Sequence, residues 1–214
     1  MQIAEKPRAK VLESSDWVAA AKAMLIDGGV AKISLRSLAS KLSVTTGAFY
    51  WQFKNLGDLK AAIRKDWAET NTAPFTRIFD NPKLNSEEKF LAYASALILE
   101  DVYDPHYDNA IRDWSHSDPL TADVLASIDK LRIGQLADMF EGFGYDPQAA
   151  LIRARVTYFH QSGYISMRIE ESTEERVANL PYYSMALIGK NLYEGASSPY
   201  EYEEMLRNAA RKLD

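Results

Sequence analysis

The sequence predicts an all-α protein in two parts, an N-terminal three-helix helix-turn-helix domain over residues 1–73 and a C-terminal helical bundle over residues 74–214. Three observations predict it. Apolar residues recur at helical spacing along most of the chain, and no stretch shows the strict alternation of a half-buried strand. The segment Ser34–Phe53, SLRSLASKLSVTTGAFYWQF, reads as two short helices across a tight turn. Charge divides unevenly: residues 1–73 hold 11 Lys/Arg against 7 Asp/Glu, whereas residues 74–214 hold 14 against 23. A basic head on an acidic body is the asymmetry expected when only the head meets phosphate.

In chain order, residues 1–12 are a polar arm in which Lys6, Arg8 and Lys10 can reach phosphate or a minor groove, a solvated tail being the simpler reading. Ser15 or Asp16 opens the first helix. Trp17, Val18, Ala21, Met24 and Leu25 form its apolar stripe, and Gly28-Gly29 ends it, one of the two free to take a left-handed cap. Ser34 is a suitable N-cap for the next helix, whose buried face is Leu35, Leu38, Ala39 and Leu42. Ser43 and Val44 fall in the turn. Thr45 caps a second short helix in which Phe49 and Phe53, four apart, share the buried face. Thr46, Ala48 and Tyr50 then point elsewhere. Asn55 caps a helix running to about Asn71 on a stripe of Leu59, Ala62, Ile63 and Trp67, with Arg64 and Lys65 solvated or near phosphate. Ala73-Pro74 marks the boundary.

The body reads as helices from Ser86 to before Pro105, Asn109–Ser115, Leu120–Phe143, Pro147 to about Glu171, Tyr182–Glu194 and Tyr200–Lys212. Their punctuation is Pro, Gly and Asp: Asp146-Pro147 stands at cap and first-turn positions, for example, where a missing N–H costs nothing.

On Ala39, Val44-Thr45, Gly47-Ala48-Phe49-Tyr50-Trp51-Gln52-Phe53 and Leu59 the chain resembles the DNA-binding domain of tetracycline-repressor-type (TetR) transcriptional regulators. The likeness spans about Asp16–Trp67. Three positions depart from the usual pattern: Ser43 stands where Gly is common, Gln52 replaces a His, and Leu56-Gly57 occupies a place where a basic residue often sits. The resemblance implies a helical regulator that pairs its last two main helices across a dimer, puts a Tyr50-type hydroxyl on phosphate and moves its connecting helix when a ligand binds.

Geometry assigns the remaining DNA-binding candidates. Ser34, Thr45 and the helix starts they cap can meet phosphate. Thr46, Gly47 and Ala48 lie where the second helix enters a major groove, Thr46 to hydrogen-bond a base edge, Ala48 to touch a thymine methyl, and Gly47 to let the backbone approach. Trp51 is a shape contact or packing, and Arg36, Gln52 and Lys54 are further phosphate candidates. In the body, Tyr103, Trp114, Phe140, Phe143, Tyr158 and Phe159 are candidates to line a ligand cavity, ordinary core being the simpler reading of each. Leu151–Met167 and Tyr182–Leu192 are the candidate dimer helices, with Ser162, Gly163, Ala186 and Gly189 allowing close approach.

Asp104, His106, Asp108, Asp113 and His116 lack a metal-ligand spacing, and His160 reads as a satisfied core histidine. No nucleophile elbow, P-loop or dinucleotide fingerprint occurs, so neither an enzyme nor a cofactor or metal is expected. No run of about 18 apolar residues exists, and the N-terminus lacks a signal-peptide core. With no Cys, disulfides are excluded and a cytoplasmic address is the default. The expected partners are a near-palindromic double-stranded DNA operator, an unidentified small-molecule effector and a second copy of the chain, with no membrane. The reading is a ligand-responsive repressor. The alternatives are a helical enzyme, or a protein-binding adaptor that uses the helix-turn-helix only structurally.

Overall fold

The structure, a computed structural model, describes residues 12–213, so the basic arm residues Lys6, Arg8 and Lys10 lie outside the described residues. Helices dominate, and no strand occurs among the described residues. The chain forms two compact units, Met1–Asp66 and Trp67–Asp214. The division falls inside a helix, upstream of Ala73-Pro74, because Trp67 and Asn71 are buried with partners in the second unit.

Unit one opens with α1 (Ser14–Gly28). It starts before the expected Ser15 or Asp16 because the Asp16 carboxylate reaches back to accept the Glu13 N–H at 2.8 Å, satisfying a donor the helix itself leaves orphaned. Trp17, Ala20, Ala21 and Leu25 are buried. Gly29 ends the helix at φ +74°, where a Cβ would be strained. Next comes α2 (Leu35–Lys41), capped as expected by Ser34, whose hydroxyl accepts the Ser37 N–H at 3.2 Å.

The turn after α2 is a Schellman closure: Val44 N–H reaches Ala39 O at 2.9 Å and Ser43 N–H reaches Ser40 O at 3.2 Å. The closure needs a left-handed residue, and Ser43 takes that conformation at φ +56°. The Ser therefore keeps the turn a Gly would make, at a cost of about 1 kcal/mol.

Thr46–Trp51 is a 3-10 helix, not the α-helix the spacing suggested. Its bonds are of the i to i+3 type, Ala48 N–H to Thr45 O at 3.1 Å and Gln52 N–H to Phe49 O at 2.9 Å. Thr and Gly are weak α-helix formers, and no side-chain cap closes this start, so the short stretch settles into the tighter-wound 3-10 form. Then α3 (Leu56–Thr70) begins behind Asn55, whose Oδ1 accepts the Asp58 N–H at 3.0 Å.

Unit two comprises α4 (Ala73–Phe79), α5 (Ser86–Ile98), α6 (Pro105–Ser115), α7 (Pro119–Gly142), α8 (Pro147–Ser166), α9 (Thr173–Ala178), α10 (Leu180–Ile188) and α11 (Pro199–Arg211). Two of these, α4 and α9, were not expected. The Ala73-Pro74 break is itself a helix start, with Pro in the first turn, and α9 is a single capped turn from Ser172. For the same reason α6 begins at Pro105 and not Asn109, with the Asp104 carboxylate accepting the Tyr107 N–H at 3.1 Å. Helix α8 stops at Ser166, short of Glu171. Helix α10 stops at Ile188, because Gly189 sits at φ +80° as its left-handed cap; Gly189 ends that helix and is no small-residue contact within it. The core gathers Phe75 and Phe79 of α4, Phe90 and Tyr93 of α5, Leu136 and Phe140 of α7, and Tyr158 of α8.

Candidate nucleic-acid interface and effector cavity

One buried ring organises the outward surface of Thr46–Trp51 in unit one. Phe49 has no exposure; it meets Trp17 edge-on with centroids 5.3 Å apart and stacks on Phe53 at 5.5 Å. With that side chain pinned inward, the 3-10 helix must turn its other residues out. Thr45, Thr46 and Gly47 are exposed and Ala48 is half-buried. Tyr50 is 59% exposed and Trp51 is 87% exposed.

Gly47 is informative because nothing inside the chain asks for it. Its φ is not positive, and a Cβ there would meet only Thr45 Oγ1, at an ordinary 3.7 Å. The missing side chain leaves room for something outside the protein.

Arg36 and Lys54 are exposed. Two expected phosphate contacts are partly committed within the fold. The Ser34 hydroxyl serves the α2 cap, and Gln52 Nε2 donates to Leu12 O at 2.9 Å, tying the end of Thr46–Trp51 to the residues just before α1.

Unit two contains a buried carboxylate with an unusual number of donors. Asp108 Oδ1 accepts from Trp67 Nε1 at 2.6 Å and Asn71 Nδ2 at 3.0 Å, and its Oδ2 accepts from Tyr103 Oη at 2.9 Å and Arg132 Nη1 at 2.6 Å. Arg132 also donates to Asn71 O at 3.0 Å, while its Nε has no partner. Burial pushes the Asp108 carboxyl up, but the Arg132 guanidinium and the hydrogen bonds outweigh it and hold the group below the usual carboxylate range. Burial works against the Arg132 charge, and the neighbouring Asp108 carboxylate overcomes it, so the guanidinium is held above its ordinary value.

A cavity of about 20 Å³ abuts this pair, room for little more than a water molecule. Phe75, Phe79, Tyr103 and Tyr158 supply its aromatic lining, and Arg112 a second paired charge, bonded to both Asp129 oxygens at 3.0 and 2.9 Å.

Of the aromatics proposed from sequence, Tyr103 and Tyr158 line this cavity. Phe140 does not: it is fully buried against Phe143 and Tyr145. Trp114 is also buried and outside the lining. Phe159 is 60% exposed, on the solvent side of α8, so it belongs to a surface and not to a cavity.

Sequence reasoning weighed Asp108 only as a metal ligand and missed Arg132. The signal was present in α7, where Arg132, Leu136 and Met139 share one buried face, a register a solvated Arg would avoid. Asp104 is a helix cap and Asp108 half of an ion pair, and among the described residues no group of three His, Asp or Glu converges as metal ligands would. His160 is not a core histidine; it lies at the surface of α8 with its ring against Tyr183, centroids 5.0 Å apart.

One further surface stands out. On α8, Ile152, Val156 and Phe159 follow helical spacing and are all exposed, and Tyr182 and Met185 are exposed on the neighbouring α10. Arg153 Nη1 joins the two helices by donating to Leu187 O at 2.8 Å. No helix among the described residues is long and apolar enough to cross a membrane.

Residues 18–63 match the sequence model of the bacterial regulatory proteins of the tetR family. No curated protein matches the chain by sequence. The fold is similar to the crystal structure of a transcriptional regulator from Rhodococcus sp. Rha1, with a TM-score of 0.59 and 16% identity over 94% of this chain and 95% of that one.

Proposed function

We infer that this chain is a DNA-binding regulator of the bacterial tetR type. It acts as a dimer on a near-palindromic operator, placing one Thr46–Trp51 element in each of two major grooves about one helical turn, or a multiple, apart. Thr46 reads a base edge, Ala48 lies against a thymine methyl and Gly47 lets the backbone close in, while Tyr50, Arg36, Lys54, Thr45, Ser34 and the free amide positions of Gln52 hold phosphate and fix the register. Trp51 adds a flat surface along the groove wall. The observation that carries this reading is the outward set of Thr46, Gly47, Tyr50 and Trp51 around a fully buried Phe49. A folding demand explains the Phe and the edge of Tyr50 that packs on it at 5.5 Å, and leaves Thr46, Gly47 and Trp51 without one.

The exposed aliphatic stripe of α8 with Tyr182 and Met185 of α10 supports the dimer, since isolated soluble proteins seldom leave such a contiguous patch wet. An effector bound in unit two lowers DNA affinity by preferring one dimer arrangement over another, which makes the protein a repressor that its ligand releases.

A gel shift on the duplex flanking its own coding region tests the whole reading. Retardation with a site preference is expected. Tyr50→Phe should weaken binding alike on all sequences and flatten the salt dependence, whereas Thr46→Ala should relax preference at one base pair in each half-site. Retardation without preference that vanishes at moderate salt would instead indicate a body-centred adaptor with a vestigial reader.

A further inference from the structure

A second cavity, of about 80 Å³, lies between α5, α8, α9 and α10. Phe90, Ile98, Leu180 and Leu187 give it apolar walls, and it adjoins the Asp108 cavity across Tyr93, Leu97 and Gln161, which line both.

Its polar content is unusual in two ways. Thr157 stands in the lining at 3% exposure, yet its hydroxyl has no partner, not even the carbonyl one turn back that a helical Thr commonly takes. The charges in the lining, by contrast, are already answered. Arg176 bonds Glu100 at 2.8 Å and Leu97 O at 2.7 Å, and Glu171 accepts from Tyr164 Oη at 2.9 Å. His160 also lines the cavity, its ring against Tyr183 with centroids 5.0 Å apart.

We propose that this cavity is the effector seat and that its ligand is an uncharged, mainly aromatic or acyl molecule presenting one hydroxyl or carbonyl to Thr157. The proposal rests on the ligand-responsive reading above. An ionic headgroup would meet an Arg176 and a Glu171 whose charges are already bonded within the chain, whereas a neutral polar group satisfies the orphaned hydroxyl without disturbing either. A cavity of roughly 150 Å³ accommodates benzene. A one-ring ligand therefore enters this smaller space only by shifting its walls, and two of those walls, α8 and α10, carry the exposed apolar stripe on their other faces. Occupancy and dimer geometry are coupled through the same two helices.

Calorimetric titration of the full chain at pH 7 with 4-propylphenol, propylbenzene and 4-propylbenzoate tests it. The phenol should bind about five- to tenfold more tightly than propylbenzene, the worth of one hydrogen bond, and the benzoate should bind more weakly than either. Thr157→Val should erase the phenol's advantage while leaving propylbenzene unchanged, and Leu187→Trp should block both. Melting curves confirm that each variant folds; should either fail, the ranking of the three molecules on the native chain still decides. Equal or tighter binding of the benzoate, an undiminished phenol preference in Thr157→Val, or no binding of any of the three overturns the proposal. A gel shift on the same samples separates the two readings. If 4-propylphenol binds with the expected ranking but DNA retention is unchanged, the site stands and the release mechanism falls. If no sequence-specific retention occurs at all, the regulator reading falls independently of the cavity.

Discussion

The stretch Thr46–Trp51 and the helix α8 invert each other. In the first, the fully buried residue is a large aromatic, Phe49, and the groups left outside are a Thr hydroxyl, a glycine and two rings, each with a polar donor. In the second, the buried residues are Ala150, Ala154, Thr157 and Tyr158, and the large aliphatic groups Ile152 and Val156 are outside with Phe159. Neither arrangement maximises burial within one chain. The first leaves donors and close-approach backbone facing out, which suits a solvated polyanion. The second leaves dry surface facing out, which suits a second copy of itself.

The sharpest way to break this contrast is to remove the ring that enforces it. Phe49→Ala should cost about 3–5 kcal/mol, the usual penalty for emptying a fully packed aromatic site, and abolish operator binding with the fold of unit one; denaturant melts followed by fluorescence in a chain whose Trp67 and Trp114 are replaced by Phe, so that Trp17 and Trp51 alone report, would measure it. An effect of similar size is expected at Asp108→Asn, which strands Arg132 without its counter-charge, about 3–5 kcal/mol. Here pH gives an independent check. The folded pKa is depressed, so the charged form contributes stability that is complete above the unfolded value of about 3.9 and is lost as pH falls through the folded value. Urea midpoints between neutral pH and the acid limb should fall in the native protein, and that portion of the fall should be missing in the variant.

Phe159→Arg addresses the other side of the comparison. A halved mass by light scattering is expected, together with about a 100-fold loss of operator affinity, as two half-sites cease to be engaged together. An unchanged mass would remove α8 from the dimer. Smaller effects come from the reader. Gly47→Ala should weaken operator binding about tenfold while leaving the fold as stable or up to about 1 kcal/mol more so, because the space for a Cβ is free inside the chain and Ala is the better helix former. Parallel losses of stability and binding would mean that the glycine serves the fold. Last, Ser43→Gly should raise stability by about 1 kcal/mol with no change in operator preference, since it relieves a left-handed backbone that points to no ligand.

How far the sequence could be read depended on how local the interaction is. Ser34, Asn55, Asp146 and the turn at Ser43-Val44 act on backbone within a few residues, and the structure has them where spacing suggested. Proline was harder to interpret. Pro74 and Pro105 looked like breaks and are helix starts, because the same missing N–H that ends one helix is harmless in the first turn of the next. The cavity aromatics were the least legible. Tyr103, Phe140 and Phe159 are all aromatic in sequence, yet one lines a cavity, one fills the core and one faces out, and only long-range packing separates them.

The sequence alone determined the helical class and the outward set around Phe49, because periodicity, caps and one turn are short-range properties that the chain carries wherever it goes. The tertiary structure alone decided that Asp108 and Arg132, 24 positions apart, form a buried pair with Trp67 and Asn71, and that Thr157 is left facing a cavity with no partner. Burial and counter-charge are properties of what surrounds a side chain, and that is set by contacts between distant segments that no local pattern encodes.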